Sequence, residues 1–138
     1  MKEIHPNIPQ KTLQAKDRYR DRVDLLRSRL DMLNGRDKVL MTMYLENGNS
    51  FRQMALLAGI SETSIARRIY KLTERLIDSE YITCLRNRNK FTEHQMTIAK
   101  DYFLRGLSMK KIAAKRHSTY YGVHKTLKKI QSILKDSE

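Results

Sequence analysis

Tryptophan is absent from this chain, and cysteine occurs once, as Cys84. A lone cysteine excludes a disulfide framework, a CxxC pair and a cysteine-based zinc site, and is expected to act as a small apolar side chain near a helix end. The two prolines, Pro6 and Pro9, lie in a polar stretch over 1–11 that reads as a tail. No run of eighteen apolar residues occurs, and MKEIHPNIPQ lacks the apolar centre of a signal peptide, so the chain reads as cytoplasmic with no membrane partner. No strand pattern of any length and no low-complexity segment is present. Acidic residues are also scarce: 15 face 28 basic ones, for a net charge of +13 and a pI of about 10.0. Such a charge repels itself unless a polyanion neutralises it, which makes nucleic acid the leading partner class.

The excess is uneven. Residues 79–138 hold 13 basic and 5 acidic side chains, for +8, and the two preceding stretches, 1–33 and 34–78, carry only +3 and +2. Catalytic signatures are missing as well. His117 and His124 stand seven apart without acids at ligand spacing, and no glycine-rich phosphate loop or strand-borne nucleophile is present. Asp17, Asp21 and Asp24 alternate with Arg18, Arg20 and Arg22, the pattern of a solvated helix face. Neither an enzyme, nor a metal site, nor a cofactor is expected.

What is present is a repeat. Adding 58 to Tyr44, Gly48, Ser50, Ala55, Lys71 and Leu76 gives Tyr102, Gly106, Ser108, Ala113, Lys129 and Leu134. Apolar pairs fill the intervals without a gap: Leu40 with Ile98, Leu45 with Phe103, Met54 with Ile112, Ile65 with Val123, Ile69 with Leu127, Leu72 with Ile130. One supersecondary unit must therefore account for both copies.

The expected fold is all-α, an N-terminal helix followed by two tandem trihelical units. Residues 1–33 form the tail and a helix from about Thr12, its N-cap, to Leu33, with Val23, Leu26, Leu30 and Leu33 as one stripe. That stripe is expected to pack on its own chain; packing on a second copy would instead give a homodimer through the N-terminal helix. Asn34-Gly35 supplies the stop. Unit 1 covers 34–78: a helix over 36–46 with Val39, Leu40, Met43 and Tyr44 on one face, a second from Ser50, and a third from Ser61 to about Asp78 carrying Ile65, Ile69, Leu72 and Leu76. Residues 79–90 read as a linker, basic and aperiodic in its second half. Unit 2 covers 91–138, with helices over Thr92 to Leu104, Ser108 to about Arg116, and Thr119 to Leu134.

Phe51 to Tyr70 reads FRQMALLAGISETSIARRIY. Ala55 is small where two helices cross, Gly59 supplies a left-handed turn, Ile60 is expected to plug the core, Ser61 caps the next helix and Ile65 seats it. Residues at these spacings resemble the helix-turn-helix of DNA-binding proteins. The span 36–76 is similar to the last DNA-reading region of bacterial sigma factors and to the output domain of LuxR-type regulators. Gly106-Leu107-Ser108-Met109-Lys110-Lys111-Ile112-Ala113 is similar to the LuxR-type run. The second copy departs from the pattern at His117 and Ser118, which replace Gly59 and Ile60. It departs again at Gly122, expected to weaken its helix by about 1 kcal/mol relative to alanine. In the first copy Arg68 stands where many family members place an apolar residue.

The resemblance implies that the third helix of each unit enters the major groove. With Ile65, Ile69 and Leu72 inward, the first reading face is Ser61, Glu62, Thr63, Ala66, Arg67, Tyr70 and Lys71; Arg67 is the candidate for guanine O6 and N7, and Glu62 is either a cytosine N4 acceptor or a capping charge. The second face is Thr119, Tyr120, Tyr121, His124, Lys125 and Lys128, with one tyrosine expected to pack inward. Arg52, Arg68, Arg86, Arg88, Lys90, Lys110 and Lys111 are the phosphate candidates. The implied function is sequence-specific binding of double-stranded DNA in transcription regulation. Two other classes stay open: a sigma-like protein associated with RNA polymerase, its second repeat touching protein, and the DNA-recognition part of a recombinase or transposase.

Overall fold

The computed structural model describes residues 10–137, with side chains from residue 18, and every regular element in it is helical. Helix α1 spans Gln10–Ser28, so Thr12 lies inside it rather than capping it. The helix does not reach Leu33. The Ser28 hydroxyl donates to the Leu25 carbonyl at 2.7 Å, offering the backbone an alternative to its ladder, and the chain tightens into a 3-10 turn over Leu30–Met32. The expected stripe is nonetheless spent within the chain. Leu26, Leu30 and Leu33 are buried and Val23 packs against the same core.

Helices α2 (Gly35–Leu45), α3 (Phe51–Ala58) and α4 (Glu62–Asp78) follow. Ser50 caps α3 in a full capping box with Gln53, Gly59 ends it at φ 71°, and the Ser61 hydroxyl accepts from the Ser64 N–H to start α4. The core face of α2 is rotated from the expected one: Leu40, Met41 and Leu45 are buried, whereas Val39 and Tyr44 are exposed. The run VLMTMYL is apolar almost all round, so periodicity could not choose the inward arc. Ile60 does not plug the core either. It is 42% exposed, at the rim of a groove between α2 and α4 that Leu40 and Arg68 also line.

The stretch 79–90 is not a linker in structure. Helix α5 spans Glu80–Arg86 and buries Tyr81, Ile82 and Cys84; a 3-10 turn covers Arg88–Lys90. Helix α6 (Glu93–Ala99), capped by a box between Thr92 and Gln95, widens into a π-turn over Lys100–Leu104. Helices α7 (Met109–Lys115) and α8 (Tyr120–Asp136) complete the chain, capped by Ser108 and Thr119. One continuous core joins all of this, with Ile65, Leu72, Leu76, Ile112 and Ile130 fully enclosed; each such side chain contributes about 1.5–3 kcal/mol by leaving water.

The 58-residue register extends to individual backbone bonds. Asn47 N–H donates to Thr42 and Asn49 N–H to Met43, at 3.2 and 3.1 Å; one register on, Arg105 donates to Lys100 and Leu107 to Asp101, both at 3.0 Å. Gly48 and Gly106 take the same left-handed conformation, at φ 65° and 70°. At the next turn Ile60 N–H reaches the Ala55 carbonyl at 3.2 Å, and Ser118 N–H reaches Ala113 at 2.8 Å. His117 adopts φ 54° where Gly59 has 71°, at the cost a side chain incurs there. Gly122 sits in the first turn of α8, its N–H bonded to the Thr119 hydroxyl, so it occupies the capped end rather than the helix interior. A Cβ there would approach the Ser118 and Thr119 hydroxyls at 3.1 Å, so the capped turn is tight at this position.

Candidate nucleic-acid interface

Helix α4 turns Ile65, Ile69, Leu72 and Leu76 into the core, so its opposite face is fixed in solvent. Ser61, Glu62, Thr63, Arg67, Tyr70 and Lys71 are exposed on that face, and Ala66 is half-buried. The Ser61 hydroxyl is occupied as the cap and also bonds the Ser64 hydroxyl at 2.9 Å. That leaves Glu62, Thr63, Arg67, Tyr70 and Lys71 as the exposed groups of the face without a side-chain bond among the described residues.

Helix α8 is mounted in the same way, on Val123, Leu127, Ile130 and Leu134. Thr119 is its cap; Tyr120, Tyr121, Lys125 and Lys128 are exposed and His124 is half-buried. Neither tyrosine packs inward: Tyr120 is 56% and Tyr121 72% exposed. The Tyr120 ring instead stacks on His124, with centroids 6.4 Å apart and planes 12° from parallel. Val123 is the buried side chain of the first turns of α8 instead.

Among the phosphate candidates, Arg52, Arg86, Arg88, Lys90, Lys110 and Lys111 are exposed. Lys90 also donates to the Ser137 hydroxyl at 3.1 Å. Arg68 differs. Its Nε and Nη2 both donate to Asp37 Oδ1, at 2.9 and 2.6 Å, tying α4 to α2. It stands as a structural clasp, which explains a charged residue in a position otherwise suited to an apolar one. None of Arg52, Arg67, Lys71, Lys110, Lys111, Lys125 and Lys128 has an ion-pair partner among the described residues.

Sequence reasoning missed Asp101. It is fully buried in the π-turn and is held by Arg116 at 2.8 Å, Arg105 at 3.1 Å and Lys115 at 3.7 Å. Burial alone would raise its pKa, but the Arg116 hydrogen bond and the charges of Arg116, Lys115 and Arg105 outweigh that and hold the carboxyl below its ordinary range. Three of the 13 basic residues of 79–138 thus serve an internal carboxylate. A signal existed in the repeat itself: Asp101 aligns with Met43, placing a charge where the first copy has an apolar side chain.

No group of histidine, cysteine and acidic side chains suited to a metal occurs among the described residues, and none of their helices is long and apolar enough to cross a membrane. No protein-family model matches the chain, and no curated protein or solved structure matches it.

Proposed function

We propose that the protein is a sequence-specific double-stranded DNA-binding protein acting in transcription regulation, built as two tandem trihelical helix-turn-helix units. The observation that carries this reading is the pairing of α4 and α8. Two helices of equal span, 58 residues apart and capped alike, each present an outward face of basic and hydrogen-bonding side chains, with Glu62 the acid in the first turn of α4 and none in that of α8. A net charge of +13 supplies the attraction to phosphate.

In this mechanism the N-terminal half of α4 lies in the major groove. Arg67 bridges guanine O6 and N7 with its two-pronged guanidinium, and Thr63, Tyr70 and Lys71 contact neighbouring bases or phosphates. Helix α8 offers tyrosine and lysine, suited to thymine methyls and phosphates. Arg52, Lys110 and Lys111, at the starts of α3 and α7, fix the register on the backbone. Regulation follows from blocking or recruiting polymerase at the bound site.

A second reading, a polymerase-associated protein with one unit touching protein, has one observation in its favour. Leu56 and Leu57 on α3 are 77% and 71% exposed, a pair of large apolar side chains with no duties toward DNA. Selection of genomic fragments on the purified protein separates the readings. Enrichment of a defined duplex motif supports the DNA-reading function; recovery of unrelated fragments in proportion to their length contradicts it and favours the polymerase-associated reading.

A further inference from the structure

The sequence reads 79–90 as a linker, and the structure puts a packed helix there. Tyr81, Ile82 and Cys84 of α5 are buried in the same core as Leu72 and Leu76 of α4 and Met96, Ile98 and Leu104 of the following unit. Two further contacts clamp the junction. The Arg29 guanidinium donates to the Leu76 and Ile77 carbonyls at 2.6 and 3.1 Å, holding the end of α4 that leads into α5. The Arg75 guanidinium lies over Gly106, so near that a Cβ there would meet it at 2.5–2.6 Å. Thus a side chain of the first reading helix rests on the turn that precedes α7. The connection itself is short: the single extended residue Ser79 separates α4 from α5, whose inner side is apolar.

We infer that the protein reads one composite duplex site, with a half-site under α4 and another under α8 at a single fixed separation. This rests on the DNA-binding function proposed above and adds the geometry of the target. The size of the body sets the scale. A compact chain of this length has a radius of gyration of about 14 Å, so two points on its surface lie within about 40 Å. That is close to the 34–36 Å of one turn of duplex, about 10 base pairs. The half-sites therefore fall within about one turn of each other, and the two units gain from simultaneous engagement only at that spacing.

The test uses the full chain and duplexes derived from the selected motif: the native site, the site with about 5 or about 10 base pairs inserted between its halves, and each half-site alone. Insertion of a half turn carries one half-site to the far face; insertion of a full turn restores the face but moves it beyond reach. Both are expected to fall to the affinity of a single half-site, on the order of 100-fold below the native duplex. Retention of binding within about threefold on the full-turn insertion would show that the units move independently and would overturn the inference. A half-site bound as tightly as the native duplex would show that one unit reads alone, with the same consequence. If no duplex is preferred over a scrambled one, the DNA-reading function itself fails, an outcome distinct from spacing tolerance.

Discussion

Arg116 holds Asp101 in a bidentate pair, Nε donating to Oδ2 at 2.8 Å and Nη2 to Oδ1 at 3.1 Å, and so binds the end of α7 to the π-turn that ends the preceding helix. In the first unit Arg68 and Asp37 join α4 to α2 by a comparable pair. The two copies share their backbone turns but not their ionic clasps, which sit on different helix pairs.

Asp101→Asn removes the buried charge and leaves Arg116, Arg105 and Lys115, which water partly reaches, around a neutral amide, so it should destabilise the protein by about 1.5–3 kcal/mol at neutral pH. Because the folded carboxyl titrates below its ordinary range, its contribution is present above the unfolded pKa of about 3.9 and is lost as pH falls through the lower folded value. Urea unfolding of the parent should weaken through that acid window and the variant should respond less. Identical pH profiles would remove Asp101 from this role.

Gly106 and Gly48 share a left-handed backbone, yet a Cβ at Gly48 would meet nothing within 4 Å and one at Gly106 would meet Arg75. Gly48→Ala should therefore cost about 1–2 kcal/mol, the conformational penalty alone. Gly106→Ala should cost more, and the excess should shrink when Arg75→Ala is combined with it. Thermal melts of the four proteins decide this; equal costs at the two glycines would mean that Arg75 does not press on the turn.

Much of the fold was legible in the sequence because the repeat supplied two readings of every position. Ser50, Ser61, Ser108 and Thr119 were recognisable as caps by residue type and register, and His117 marked the second turn by standing opposite Gly59. The arc of α2 was not legible, since an apolar helix has no preferred phase. The packing of α5 was missed because a seven-residue helix offers too few turns for a period to emerge, although Tyr81, Ile82 and Cys84 were all available to a core. The exposed face of α4 was legible and its ion pairing was not: Arg67 and Arg68 are adjacent in sequence, and only Arg68 has a partner among the described residues, Asp37.

Cys84 tests the packing of α5 directly. Burial pushes its thiol up to about 11, with Glu80 adding to the effect, so the folded protein holds it protonated and enclosed. A thiol-specific reagent at about pH 8 should label it only at the rate of unfolding, many-fold below a free thiol. Immediate labelling under native conditions would show α5 detached from the core.

The two units should divide the electrostatic work unequally. Neutralising Lys110, Lys111, Lys125 and Lys128 together should flatten the salt dependence of non-specific duplex binding by a slope of about 3–4, if all four lie on phosphates. Neutralising Arg52, Arg67 and Lys71 should flatten it less, because Arg67 is assigned to a base. Equal changes would contradict that division.

The most direct test of α4 as a base-reading helix is the affinity of Arg67→Ala for a matched and a scrambled duplex at one salt concentration. Loss of a bidentate guanine contact should weaken the matched duplex by about 1–3 kcal/mol and relax one base position, with the scrambled duplex nearly unaffected. Lys125→Ala should weaken both by a similar factor. If Arg67→Ala lowers both affinities equally, Arg67 is a backbone contact and α4 is not the reader.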